Sequence, residues 1–317
     1  MLEKRAFYIN GQWVDPIAGT DHHVIDPSTE DPCAVISLGG EADAEAAIAA
    51  AKAAFPSWMH TDPAERIALV ETLIAVYETR AEDMAQAMSA EMGAPIDMAR
   101  SQQVGAGTWH LKNFVRDAKA FDFVRPLGDH APSDRIIYEP VGVAALITPW
   151  NWPMNQVTLK VGAAAIAGCT MVLKPSEESP LNAMIFAELM DEAGFPPGVF
   201  NLVNGDGPGV GTVLSGHRDV DMVSFTGSTV TGMKFLTYAA ESNAKEVVLE
   251  MGGKNPCIVM DDAEHLDRVA QHVVNGAFWN MGENCSAISR LIVHADVRDD
   301  LLARIEAKDL TTAAHTW

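Results

Sequence analysis

From residue 136 onward, short apolar, β-branched runs alternate with longer helical stretches, and this alternation restricts the possible folds more than any other feature. Strands are expected at 143–148, 170–174, 200–203, 222–225 and 246–250, with helices at 155–167, 181–193, 209–215 and 229–242 between them. Neighbouring parallel strands need a crossover connection, which a helix supplies, so this order predicts a parallel sheet with helices packed on it. After Gly252-Gly253 a further unit is expected: strand 257–260, helix 263–280, strand 290–294 and helix 298–308. The fold class is therefore α/β, with a Rossmann-like parallel-sheet domain followed by a second α/β unit.

The preceding part reads differently. Asn10-Gly11 between two β-prone runs predicts a hairpin over 7–14. Helices are expected at 41–55, from Thr61 to a stop at Gly93 and Pro95, with Pro63 in the first turn, and at 96–120. The polar stretch 121–140 carries Pro126, Pro132 and Pro140 and reads as an extended arm or hairpin outside the core.

Composition narrows the function classes. A chain of 317 residues with 48% hydrophobic and 21% charged residues suits a soluble globular protein of two domains. Its 22 basic and 43 acidic residues give a formal charge of −21, which repels phosphate backbones and anionic lipid, so neither nucleic acid nor a membrane surface is an expected partner. Residues 1–10 carry no apolar signal region, and no stretch reaches the roughly 18 apolar residues of a membrane span. Four cysteines without a C-x-x-C pair argue against a disulfide framework or a zinc site, and no metal is expected. A cytoplasmic protein is the resulting expectation.

In an open parallel sheet, ligands bind beyond the carboxyl ends of the strands. The residues after the five strands are Thr148-Pro149-Trp150-Asn151, Lys174-Pro175-Ser176-Glu177, Gly207-Pro208-Gly209-Val210-Gly211 after a short loop, Thr226-Gly227-Ser228, and Glu250-Met251-Gly252. Singly they are weak signals, since glycines after strands commonly serve turns. Together they describe a dinucleotide site, in which Gly227-Ser228 opens a helix whose free N–H groups suit a phosphate. The Gly227 to Gly232 spacing is G-x-x-x-x-G, not the common G-x-G-x-x-G. Cys285 is the candidate nucleophile, being the cysteine in a polar, glycine-containing segment. Cys169 and Cys257 read as core residues, and Cys33 has nothing catalytic beside it.

Six segments in this order, Pro149-Trp150-Asn151-Trp152-Pro153, Lys174-Pro175-Ser176-Glu177, Gly194-Phe195-Pro196-Pro197-Gly198, Phe225-Thr226-Gly227-Ser228, Glu250-Met251-Gly252-Gly253-Lys254 and Gly282-Glu283-Asn284-Cys285, strongly resemble the aldehyde dehydrogenase superfamily. The resemblance implies NAD-dependent oxidation of a small-molecule aldehyde. Cys285 would form a thiohemiacetal and then a thioester, Asn151 and the Cys285 N–H an oxyanion hole, and Glu250 would activate the hydrolytic water. Lys174 and Glu177 would hold the adenosine ribose, favouring NAD over NADP. Thr148, Trp150, Gly207, Gly211, Phe225, Thr226, Gly227, Ser228, Met251 and Gly252 would complete the cofactor site.

The resemblance further implies a cofactor domain over 1–120 and 141–250, an oligomerisation arm over 121–140 in a homo-oligomer, and a partial catalytic domain over 251–317. Gln156, Leu159 and Trp279 would face the aldehyde tunnel. Glu283 would point away from Cys285. Family members run longer, with a Glu-x-Phe-Gly-Pro segment and further strands that are absent here, and 309–317 does not continue the family pattern. The expectation is a truncated chain with exposed sheet edges, and the alternative to an active enzyme is a silent chain that binds only nucleotide or other subunits.

Overall fold

A computed structural model describes residues 1–308; the expectation for 309–317 lies outside them. In chain order the strands are β1 Leu2–Lys4, β2 Phe7–Ile9, β3 Gln12–Val14, β4 Thr20–Asp26, β5 Asp31–Leu38, β6 Val124–Gly128, β7 Ala131–Ile137, β8 Val143–Ile147, β9 Thr170–Lys174, β10 Phe200–Leu202, β11 Met222–Gly227, β12 Glu246–Met251, β13 Asn255–Val259 and β14 Ile288–Val293. The α-helices are α1 Glu41–Trp58, α2 Pro63–Thr79, α3 Ala81–Met92, α4 Ile96–Met98, α5 Val104–Lys119, α6 Pro153–Ala167, α7 Leu181–Glu192, α8 Thr212–Gly216, α9 Thr229–Glu241, α10 Leu266–Phe278 and α11 Ala295–Glu306.

The principal sheet has seven strands in the order β12-β11-β8-β9-β10-β2-β3, parallel from β12 to β10 and antiparallel through β2 and β3. The opening hairpin thus extends the principal sheet. Its central strands are buried on both faces, which is why they read as unbroken apolar runs. Along β8, Ala144 and Leu146 point into the core built with α6 and α7, and Val143, Ala145 and Ile147 into the one built with α1, α8 and α9. Gly168 ends α6 in the left-handed conformation at φ 89°, letting the chain turn at once into β9.

Several expectations need correction. The helix expected from 61 to 93 breaks at Arg80, whose non-helical backbone lets Tyr77 of α2 and Met84 and Met88 of α3 reach one core from two axes. The helix expected at 96–120 holds a π turn at Ala99–Gln103. Helix 209–215 is a π turn, Gly207–Gly211, followed by α8. Helix 263–280 ends at Phe278, and strands β1, β4 and β5, a separate three-stranded sheet, were not anticipated. Residues 124–137 form an antiparallel hairpin, β6–β7, largely exposed. Strands β13 and β14 form a two-stranded parallel sheet, with Ile258 and Ile292 more than half exposed on the face α10 and α11 do not cover. Cys257, on the face of β13 that those helices cover, packs against the small Val259, Ala270 and Leu301 core as expected but is only half-buried. Among the described residues no helix is long and apolar enough to cross a membrane.

Candidate active site

The strand order reverses between β8 and β11: β9 and β10 lie on one side of β8, β11 and β12 on the other. Crossovers leave a switch point in opposite directions, so a crevice opens at the carboxyl ends of β8 and β11. A cavity of about 540 Å³ sits there, lined by Thr148 and Trp150 after β8, Lys174 and Glu177 after β9, Gly207 and Gly211 of the π turn, and Phe225 to Ser228 at the end of β11.

Each contribution has a local cause. Lys174 is buried, its Nζ bonded to Pro175 O at 2.8 Å and Glu177 Oε2 at 3.1 Å; desolvation lowers its pKa, and the Glu177 carboxylate opposes that shift. It is not the surface lysine that a single-residue reading allows. Asp206 caps the π turn through Gly209 N at 2.6 Å. Ser228 caps α9, its Oγ accepting from Thr231 N at 3.2 Å. Thr226 lines the crevice, and its Oγ1 is buried without a partner among the described residues.

A second cavity, of about 500 Å³, shares Trp150, Thr226, Gly227 and Ser228 with the first and continues to Asn151, Glu250, Met251, Gly252, Glu283 and Cys285. All fifteen candidate site residues named from the sequence therefore line one continuous cleft. Cys285 is the exposed cysteine; burial pushes the Cys33 and Cys169 thiols up. Exposure makes Cys285 the accessible sulfur of the four.

The loop before Cys285 is held by a network that sequence reasoning missed. Asn280, Met281 and Gly282 all have positive φ, at 52°, 59° and 77°. The fully buried Asn280 accepts from Gln103 Nε2 at 2.6 Å and donates to Asn151 O at 2.9 Å. Asn151 Nδ2 donates to Glu283 O at 2.7 Å. The amide carries two hydrogens, so the second remains for a ligand. Asn280 was visible in sequence only as a helix end, and Gln103 only as a polar residue in an apolar stripe.

Two titratable groups also emerge. Lys160 on α6 is buried, its Nζ 2.9 Å from Ser224 Oγ; desolvation lowers its pKa to about 8, partly opposed by Glu250. A lysine in the apolar Val157, Val161, Ala164 stripe was the available signal. Glu283 does not point away as expected: its Oε2 is enclosed without a partner, and burial pushes the carboxyl up to about 7. Glu283 lines the cavity that also contains Cys285.

A third cavity, of about 330 Å³, meets the second at Asn151, Gln156, Thr226 and Cys285. Gln156 and Trp279 line it, with Trp152, Asn155, Gln102 and Asn284. Leu159, one turn along α6 from Gln156, lines the second cavity, as Gln156 also does.

Residues 13–313 match the aldehyde dehydrogenase family. The chain is 45% identical over 302 residues to 3-succinoylsemialdehyde-pyridine dehydrogenase of a Pseudomonas species, covering 95% of this chain and 62% of that protein. It is 46% identical over 313 residues to aminoacetaldehyde dehydrogenase of Pseudomonas aeruginosa, covering 97% and 62%. Among solved structures, an aldehyde dehydrogenase from Bartonella henselae superposes with a TM-score of 0.93 at 50% identity, covering 96% of this chain and 64% of that one. A mutant of aldehyde dehydrogenase C from Pseudomonas syringae, complexed with NAD+ and octanal, gives 0.91 at 42% identity, covering 95% and 61%. The chain thus spans about 62% of the length of the curated relatives it matches.

Proposed function

Since this chain belongs to the aldehyde dehydrogenase family, we propose that it binds NAD in the crevice between β8 and β11 and oxidises an aldehyde to the carboxylic acid through Cys285. The observation that carries the reading is the single cavity lined by Cys285, Asn151 and Glu250 and continuous with that crevice.

The residues present fit the dinucleotide. The Lys174–Glu177 pair offers a cation and a carboxylate to ribose hydroxyls, and Glu177 opposes a 2′-phosphate. The start of α9 offers backbone N–H groups to the pyrophosphate. When bound, NAD supplies the hydride acceptor. The Cys285 thiolate attacks the aldehyde carbonyl, and the free Asn151 Nδ2 hydrogen and the Cys285 N–H stabilise the oxygen of the thiohemiacetal, each such donor contributing about 3–4 kcal/mol in the transition state. Hydride loss leaves a thioester on Cys285. Glu250 takes a proton from water, which attacks the thioester, releases the acid and restores the thiol.

This reading assigns 1–120 and 141–250 to the cofactor unit and the chain from 251 to the catalytic unit. The exposed apolar side chains of β6–β7, including Val124, Leu127 and Ile137, support its use as an oligomerisation arm. The test is NADH formation at 340 nm with a panel of aldehydes. Turnover that disappears in Cys285→Ala is expected; stable NAD binding without turnover would overturn the catalytic reading. The exposed Ile258 and Ile292 on the β13–β14 sheet favour that second reading, a nucleotide-binding chain needing further segments for catalysis.

A further inference from the structure

Among the described residues, three titratable side chains line the nucleophile's cavity: Cys285, Glu250 and Glu283. The third has no part in the chemistry above, yet its loop is tied down on every side. Glu283 N donates to Asn280 O at 2.9 Å, and Glu283 O accepts from Asn151 Nδ2 at 2.7 Å. The next residue, Asn284, accepts from the Trp152 indole N–H and donates to Trp279 O at 3.1 Å. Cys285 O accepts from Asn255 Nδ2 at 3.1 Å. The Glu283 carboxyl and the Cys285 thiol are therefore carried by one pinned turn. One carboxyl oxygen is shut away from solvent with no donor to meet it, an environment that favours the neutral acid over the anion.

Among the described residues, the surrounding elements supply no compensating cation to this cavity. Lys160 is the charged residue that α6 directs toward this region, but its Nζ bonds Ser224 and it lines a neighbouring apolar cavity with Glu250. The loop after β8 and the end of β11 contribute uncharged residues, and β12 contributes Glu250. On the strand side Arg290 is tied to Lys254 O, and neither residue lines the cavity.

We propose that Glu283 is a positioning residue that sets the thiolate fraction of Cys285. Protonated, it leaves the thiolate unopposed; ionised, it disfavours a second negative charge two residues away in the same cavity. Burial places the change at Glu283 near pH 7. The proposal deepens the reading of Cys285 as nucleophile and rests on it for its catalytic consequence.

The test is the rate of Cys285 alkylation by iodoacetamide from about pH 5 to 10, resolved by peptide mass spectrometry, on the chain and on Glu283→Gln. The variant is expected to lower the thiol midpoint by about one pH unit and speed alkylation near pH 8 up to about tenfold, with Cys33 in the same sample unchanged. Superimposable profiles would overturn the proposal. Should Glu283→Gln lose its cooperative melt, the unmodified chain decides: a coupled, two-step profile supports the proposal and a single-step one overturns it. Alkylation needs neither cofactor nor aldehyde, so failure here leaves the catalytic reading intact, and failure of NADH formation leaves this proposal intact.

Discussion

Replacing Asn280 tests whether the loop before Cys285 is held by its side-chain network or by backbone conformation alone. Asn280 is fully buried, accepts from Gln103 Nε2 at 2.6 Å, donates to Asn151 O at 2.9 Å, and has φ 52°. Without its amide, Gln103 Nε2 keeps only a 3.4 Å contact to Asn151 O, and Gln103 Oε1 already lacks a partner. A buried donor left unpaired costs about 1–3 kcal/mol and the second lost bond about 1, so Asn280→Gly, which keeps the backbone at ease, should lose about 2–4 kcal/mol. Asn280→Ala should lose about 1 kcal/mol more, because a Cβ resists the left-handed conformation that Asn tolerates. The assay is equilibrium urea denaturation followed by tryptophan fluorescence, since Trp279 adjoins the site. A glycine variant as stable as the parent would refute the network argument, and equal stabilities for the two variants would refute the backbone one.

Three further outcomes are expected. Glu91 is fully buried and accepts from Leu181 N, Asn182 N and the Asn182 side chain; burial outweighs those donors and raises its pKa from 4.5 to about 7. The folded chain then retains a proton that the unfolded chain has released, so stability falls as pH rises from about 4.5 through 7; Glu91→Gln should flatten that slope in melts across the window, and an unchanged slope would contradict the assignment. Gly142 has φ 129°, and an added Cβ would collide with the Asp221 carboxylate that accepts from Val143 N at 2.8 Å, so Gly142→Ala should cost about 2–4 kcal/mol in calorimetry. Glu177→Ala should weaken NAD binding by about fivefold to tenfold, the equivalent of one hydrogen bond, and narrow the preference over NADP in parallel titrations, whereas unchanged affinities would remove Glu177 from the ribose site.

The strand-helix alternation and the residues at the strand ends were legible in the sequence because both are local: period and turn chemistry depend on near neighbours. Lys174, Glu177, Phe225 to Ser228 and Glu250 could be placed at strand ends from 143 onward, and the parallel sheet made those ends neighbours. The break at Arg80 and the π turn at Ala99–Gln103 were not legible, because each follows from what the helix packs on and not from its own propensity. The clamp on the nucleophile loop was likewise hidden. Gln103 and Asn280 are 177 residues apart, and nothing in either segment announces the other.

The sequence by itself determined the fold class and the set of groups available for chemistry, since an apolar period of two or 3.6 and a cysteine in a polar turn are properties of short segments. Only the tertiary structure decided how those groups are used. The strand order puts the crevice between β8 and β11, burial turns Lys160 and Glu283 into perturbed acids and bases, and the folded loop brings Glu283 and Cys285 to one cavity. Desolvation and side-chain direction belong to the assembled surroundings of a residue, which no short stretch of chain contains.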